Sequence, residues 1–299
     1  MPFFMSKIFA SVLVILALSV NISYAQDKDL SAQIKEIAAT SKGIVGVSIL
    51  GIESRDTLNY NGNSRLVMHS VMKFPIAMTV LNLVDKGKYK LDQKLKVKKE
   101  FMLPNTHSPM RDKYPDGAEL PLSDILGYMV SQSDNDACDF LLNRIGGPKV
   151  VEDYIQSLGI KGIMVNASEG EMAKAWEVQY TNWCKPVEVV RLLDIFYQGK
   201  VLSKSSNDFL YKVMAETSTG PNRIKGLLPK DAVVAHKTGT SPTNDAGLSP
   251  ATNDVGIITL PNGKHLAIAI LVCNSTADEA TREGVIAKIA KAAWDTYSK

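Results

Sequence analysis

The pattern of apolar and polar positions changes character twice along the chain. An apolar run from Ile8 to Val20 follows a single early lysine, Lys7, and precedes Ser23-Tyr24-Ala25, a small-x-small step. This is the pattern of a secretory signal peptide over residues 1–25, because the run is shorter than the roughly 20 apolar residues a membrane span needs and no stop-transfer charges follow it. From Gly43 the stretch GIVGVSILGI is rich in β-branched residues and, with DTLNY behind it, predicts a pair of strands. The last third returns to that character. DAVVAHKTG, TNDVGIITL and HLAIAILV are apolar runs of strand length. Pro261-Asn262-Gly263 joins the last two and predicts a tight hairpin, since Asn-Gly accepts positive φ. A helical pattern from Asp278 to Tyr297 closes the chain.

Between these ends the apolar period is helical, at Val71–Lys86, Ser123–Ser131, Asp136–Ile145, Lys149–Leu158, Val187–Gln198 and Ser205–Glu216. Gly146-Gly147 ends one of these helices and Pro186 starts another, each in its expected place. Strands from the two ends must then share one antiparallel sheet, covered by the last helix, and the middle becomes an inserted helical lobe. The expected fold is α/β (α+β) in two lobes: residues 26–67 with 217–299 as the α/β lobe, and residues 68–216 as an all-helical lobe. Clefts between such lobes are usual places for small-molecule sites.

Composition narrows the chemistry. Removing residues 1–25 deletes one lysine and no acid, so a formal charge of +3 becomes +2, which implies no nucleic-acid or other polyanionic partner. With 45% hydrophobic residues the chain can bury a large core, and it is expected to be a soluble monomer with no membrane anchor after signal cleavage. Cys138, Cys184 and Cys273 are odd in number and far apart, so buried free thiols are expected rather than a disulfide framework. His69, His107, His236 and His265 stand singly, without H-x-H, H-E-x-x-H or C-x-x-C spacing, and no metal or other cofactor is implied. His69 is read as a bystander to Ser70, because adjacent residues on a helix face different ways.

Three short motifs carry chemistry. In Ser70-Val71-Met72-Lys73 the spacing of three puts the lysine amine beside the serine hydroxyl at a helix start, where free backbone N–H groups can bind anionic oxygen. A serine is a poor nucleophile until a neighbouring base takes its proton, and Lys73 is placed to do so. Pro75 in the same helix predicts a kink close to the site. Ser133-Asp134-Asn135 lies between two helical patterns, where all three residue types also favour a helix cap. Lys237-Thr238-Gly239-Thr240 ends an apolar strand. Each motif alone is common, but the three in this order on helix, loop and strand are hard to reach by accident.

Together they resemble the class A β-lactamases, with their β-lactamase/transpeptidase-like fold, over essentially the whole mature chain. SVMKFP, SDNDACD, TGPNRIKG, VVAHKTGTS and ATNDVGIITLPNG are most similar to the PER/VEB-like, extended-spectrum branch. The resemblance implies a periplasmic enzyme whose partners are small β-lactams, and it implies roles. Ser70 attacks the lactam carbonyl, with the backbone N–H groups of Ser70 and Thr240 as oxyanion hole. Ser133 carries a proton to the departing nitrogen, with Lys73 and Lys237 keeping the relay electropositive. Asn135 holds the side-chain amide of the antibiotic, and Thr238, Thr240 and Arg223 bind its carboxylate. The family's deacylating glutamate, counted back from Gln179–Trp183, falls on Glu169, with Glu171 as its rival. Four residues on, where the family has a polar residue that helps hold the hydrolytic water, stands Ala173.

Two serine relatives share the motifs. A penicillin-binding peptidase lacks the deacylating glutamate, and a β-lactam sensor domain, a binding module that stays acylated, is fused to membrane segments. Glu169 and the chain after residue 25 favour the hydrolase.

Overall fold

The computed structural model describes residues 29–299, so the signal-peptide reading of residues 1–25 lies outside the described residues. Helix α1 (29–39) leads into β1 (Ile44–Gly51), β2 (Thr57–Tyr60) and the short β3 (Leu66–Val67). A 3-10 turn, His69–Met72, runs straight into α2 (Lys73–Asp85). The middle continues through β4 (Lys94–Lys98), α3 (Pro109–Lys113), β5 (Gly117–Pro121), α4 (Leu122–Ser131), α5 (Asn135–Ile145), α6 (Pro148–Ser157), β6 (Ile163–Met164), α7 (Glu169–Met172), β7 (Trp183–Cys184), α8 (Pro186–Tyr197) and α9 (Lys204–Ala215). The chain ends with β8 (Val234–Thr240), β9 (Ser249–Thr259), β10 (His265–Ser275) and α10 (Glu279–Tyr297).

Strands from the two ends form one five-stranded sheet in the order β2-β1-β10-β9-β8. All its ladders are antiparallel, with Val47 opposite Ile270, Ala269 opposite Val255 and Lys237 opposite Val255 across its three central pairings. Successive residues of β10 point to opposite faces. Leu266, Ile268, Ile270 and Val272 pack with Leu30, Ile34, Ile286 and Ile289 of the outer helices. Ala267, Ala269 and Leu271 pack toward the helical middle. Both faces are covered, which is why the strand reads as an unbroken apolar run instead of alternating. Helix α2 is buried at every position from Lys73 to Leu81 and forms the axis of the helical part. No helix among the described residues is long and apolar enough to cross a membrane.

The middle, expected to be all-helical, also carries the antiparallel pair β4-β5 and a small β3-β7-β6 sheet, and several local expectations differ in detail. The β9–β10 hairpin forms, but through the five residues 260–264. Gly263 adopts φ +77° while Asn262 does not enter the left-handed region. Asn262 instead accepts from the Lys264 N–H and donates to the Tyr297 carbonyl, tying the turn to α10. Pro75 causes no break. It lies in the first turn of α2, where its missing N–H has no intrahelical partner to lose, and the change from 3-10 to α geometry comes two residues earlier. Cys138, Cys184 and Cys273 are separate buried thiols, each held above the usual thiol range by burial.

Candidate active site

A cleft of about 640 Å³ opens between the sheet edge at β8 and the helical middle. Ser70, Ser133, Asn135, Glu169, Thr238 and Thr240 are among the residues that line it. Four chain segments far apart in sequence converge there, and each is fixed by its own local chemistry.

The Ser70 segment is pinned from behind. Asn253 on β9 donates its side-chain amide to the carbonyl of Val67 at 2.8 Å, fixing the approach to the turn. Gly239 on β8 lies so close that a Cβ there would stand 2.4 Å from the Met68 carbonyl oxygen. The 3-10 turn and first α-helical residue then place Lys73 Nζ 2.8 Å from Ser70 Oγ. The amine is fully buried and also meets the Ser133 carbonyl at 2.9 Å, Asn135 Oδ1 at 2.6 Å and Glu169 Oε1 at 2.7 Å. Four oxygens surround the nitrogen, and it is as a neutral amine, with a lone pair, that it can take the proton of the Ser70 hydroxyl. Glu169 Oε1, 3.4 Å from Ser70 Oγ, is a second acceptor within reach.

The segment at residues 133–135 is both cap and site. Asp134 caps α5, accepting from Ala137 N at 2.8 Å, and also takes bonds from Ser108 Oγ and Met110 N. It is fully buried, so these partners replace the water it has lost. The preceding Ser133 adopts left-handed backbone, φ +58°, and lines the cleft. Lys237 Nζ donates to that hydroxyl at 2.9 Å and to the Thr238 carbonyl at 2.9 Å. Burial, reinforced by nearby Lys73, holds the Lys237 amine well below the ordinary lysine range.

β8 is the edge of the sheet. Ser241 N bonds the Ala251 carbonyl on β9, so the alternation of an antiparallel ladder turns the neighbouring Thr240 N–H outward, toward the Ser70 turn. Thr238 shares a 2.6 Å bond with the Thr219 hydroxyl at the cleft wall. Arg223 is not in that wall, contrary to the expectation that its guanidinium takes the substrate carboxylate directly. It is buried behind β8, with Nε on Glu283 Oε1 at 2.9 Å and Nη1 on the carbonyls of Gly239 and Asn253. Its Nη2 donates to Thr240 Oγ1 at 2.9 Å. That bond occupies a lone pair of the hydroxyl and leaves the Thr240 proton free for the cleft.

The loop that presents Glu169 is held mainly by side chains. Asn182 accepts from Asn166 N and Ala167 N and donates to the Ala167 carbonyl. Asp139, one turn beyond Asn135 on α5, accepts from Glu169 N at 2.7 Å and Gly170 N at 2.8 Å. Burial pushes the Asp139 carboxyl up to about 6, against those two bonds. Glu169 is buried and faces the cleft, whereas Glu171 is exposed and bonds Ser168 N in a reciprocal capping box. The two rival carboxylates therefore sit in different settings, one beside the nucleophile and one at a helix end. Ala173 also lines the cleft and brings no polar group there.

His69 departs from its sequence reading. The segment is a 3-10 turn entered through φ +46° at His69, so the ring does not face away from the site as α-helical spacing implied; it lines the cleft and bonds Gln179 Oε1 at 2.7 Å. Asp139 and Asn182 were not singled out in the sequence. Asp139 lies four residues after Asn135, hence on the same helix face, which is a signal that could have found it. Asn182 carries no comparable signal.

The match to known proteins agrees with this geometry. The β-lactamase enzyme family model covers residues 29–297. The chain is 43% identical to β-lactamase VEB-1 of Pseudomonas aeruginosa, covering 95% of this chain and 96% of that one. It is 42% identical to the extended-spectrum β-lactamase PER-1 of the same organism, covering 95% and 92%. Among solved structures, a β-lactamase from Chitinophaga pinensis superposes with TM-score 0.88 at 52% identity, over 89% of this chain and 98% of that one. The TLA-3 extended-spectrum β-lactamase does so with TM-score 0.90 at 49% identity, over 91% and 99%. With the serine, two lysines and buried glutamate gathered in one cleft, the chain belongs to the β-lactamase enzyme family, as a class A serine enzyme of the PER/VEB type.

Proposed function

We propose that the protein, exported to the periplasm and acting as a monomer, hydrolyses the β-lactam amide bond of penicillins and cephalosporins, oximino-cephalosporins included, and so confers resistance. The observation that carries this reading is the position of Ser70 Oγ, 2.8 Å from Lys73 Nζ and 3.4 Å from Glu169 Oε1, so that one hydroxyl has both an activating amine and a carboxylate beside it. The lobe of residues 26–67 and 217–299 supplies β8, and the lobe of residues 68–216 supplies the nucleophile and its bases.

Ser70 Oγ adds to the lactam carbonyl as its proton leaves toward Lys73 or Glu169. The backbone N–H groups of Ser70 and Thr240 receive the negative charge that develops on the carbonyl oxygen. The C–N bond then breaks as Ser133, whose hydroxyl faces Lys237, passes a proton to the ring nitrogen. Asn135 spends its Oδ1 on Lys73 and keeps its Nδ2 for the acylamide of the drug. Thr238 and Thr240 take the substrate carboxylate, with Arg223 acting through Thr240. Water then attacks the ester, with Glu169 accepting its proton. Alanines at 173 and 175 and the open 241–248 segment leave room for a bulky oximino substituent.

Glu169→Gln tests the reading. The variant is expected to react with a penicillin and accumulate an adduct on Ser70 equal in mass to the intact drug. Normal turnover by this variant would remove Glu169 from the mechanism, and no adduct on Ser70 in any variant would remove the serine.

A further inference from the structure

We propose that His69 holds the hydrolytic water through its Nδ1 atom, in the place left apolar by Ala173. The inference rests on the reading of Glu169 as the base that deprotonates this water.

The tautomer of His69 is fixed by its neighbours. Gln179 Nε2 donates to the Trp176 carbonyl at 2.7 Å, which orients the amide and leaves Gln179 Oε1 as an acceptor facing the ring. His69 Nε2, 2.7 Å away, must therefore carry the proton. Burial holds the ring below the usual histidine range, so it is neutral at pH 7 and Nδ1 presents a lone pair. That lone pair has no hydrogen-bond partner among the described residues. Nor is Nδ1 among the sealed-off, unsatisfied polar atoms of the interior, so it opens to the cleft. The ring shares that cleft with Ser70, Glu169 and Ala173 and is close enough to Glu169 to feel its charge.

A bound water needs two or more polar partners to be held in one orientation. Glu169 supplies one acceptor, the alanine at 173 supplies none, and His69 Nδ1 supplies the second. With one hydrogen on Glu169 and the other on Nδ1, the water oxygen turns a lone pair toward the acyl carbon on Ser70. In the step itself that pair forms the new C–O bond and the carbonyl π pair moves onto the oxyanion. The first hydrogen passes to Glu169 as a proton, while the second stays on the attacking oxygen, bonded to Nδ1. Collapse breaks the bond to Ser70 Oγ, which takes up the proton held by Glu169. His69 thus gains and loses nothing.

The test separates water holding from the structural bond to Gln179. His69→Ala, with folding checked by thermal denaturation, is expected to acylate at a near-normal rate but lose about 10- to 100-fold in deacylation, seen as accumulated acyl-enzyme. Adding Ala173→Asn to that variant returns a polar group to the water without restoring any bond to Gln179, and is expected to recover at least 10-fold. His69→Asn, which keeps an acceptor near the Nδ1 position, is expected to fall less than His69→Ala. Normal deacylation by His69→Ala overturns the proposal. So does a defect that Ala173→Asn leaves untouched while Gln179→Ala reproduces it, since His69 would then act only as an anchor. Glu169→Gln run beside these variants keeps the two readings apart. If it stalls and His69→Ala does not, the water assignment fails alone, and if it turns over normally the underlying reading fails.

Discussion

Asp139 forms no hydrogen bond or ion pair with Ser70 or Lys73, yet its two bonds fix where Glu169 stands, and its removal should separate positioning from stability. Its carboxylate takes the Glu169 and Gly170 N–H groups at 2.7 and 2.8 Å. Each such charge-assisted bond is worth roughly 1.5 to 3 kcal/mol, so the pair supplies about 3 to 6. Burial outweighs them in setting the charge: the pKa is raised from 3.8 to about 6, a net shift that already includes both bonds. A raised acid pKa means the contribution to stability is fullest below the unfolded value and is lost as pH rises through the folded one. Asp139→Ala leaves two N–H groups without their acceptor, which should cost about 2 to 6 kcal/mol of stability, and should slow deacylation about 100-fold, because a misplacement of about 1 Å is enough for that. Asp139→Asn keeps an acceptor for one N–H only and no longer titrates. Wild-type deacylation should fall as pH drops through about 6, where protonation of Asp139 costs one of its two bonds, and this limb should be absent in Asp139→Asn. Single-turnover release of a penicilloyl group between pH 5 and 8, with urea melts at pH 5 and 7, measures both quantities. An unchanged limb near pH 6 in Asp139→Asn, or normal deacylation in Asp139→Ala, would refute the reasoning.

Ser70→Ala should abolish turnover of a chromogenic cephalosporin and leave the melting temperature within a few degrees, since the hydroxyl contributes little to the core; near-normal turnover would place the nucleophile elsewhere. Glu171→Gln should clear its acyl group almost normally and change stability by about 1 kcal/mol or less, because this exposed side chain only completes a capping box; a stalled adduct would shift the base by two residues. Gly239→Ala drives a Cβ against the backbone of the Ser70 turn and should cost about 2 kcal/mol or more along with most activity; a stable, active variant would mean the turn yields freely. Turnover should continue in excess chelator, and loss of activity restored by zinc would contradict a serine mechanism.

Residue identity and spacing set the elements and the chemistry that travels with short spacing. The apolar periods placed α2, α4, α5, α6, α8, α9 and α10 to within a few residues, because a buried helix face repeats within four positions. Ser70 and Lys73 meet because a spacing of three is itself a geometry, and Asp134 caps α5 because capping is local. The convergence of Ser133, Lys237 and Glu169 on Ser70 was legible through the resemblance of the motifs, since no local rule brings residues 60 to 170 positions apart together.

The remaining features depend on contacts that no periodicity encodes. Arg223 was expected at the substrate carboxylate as a guanidinium fork, but the carbonyls of Gly239 and Asn253 and the carboxylate of Glu283 hold it behind β8. His69 was set aside on α-helical geometry, and a single left-handed backbone angle brings its ring into the cleft. Asp139 and Asn182 hold the Glu169 loop by bonding its backbone N–H groups, which every residue but proline carries. A partner that is backbone leaves no trace in residue identity, so such a loop becomes readable only when the chain has folded around it.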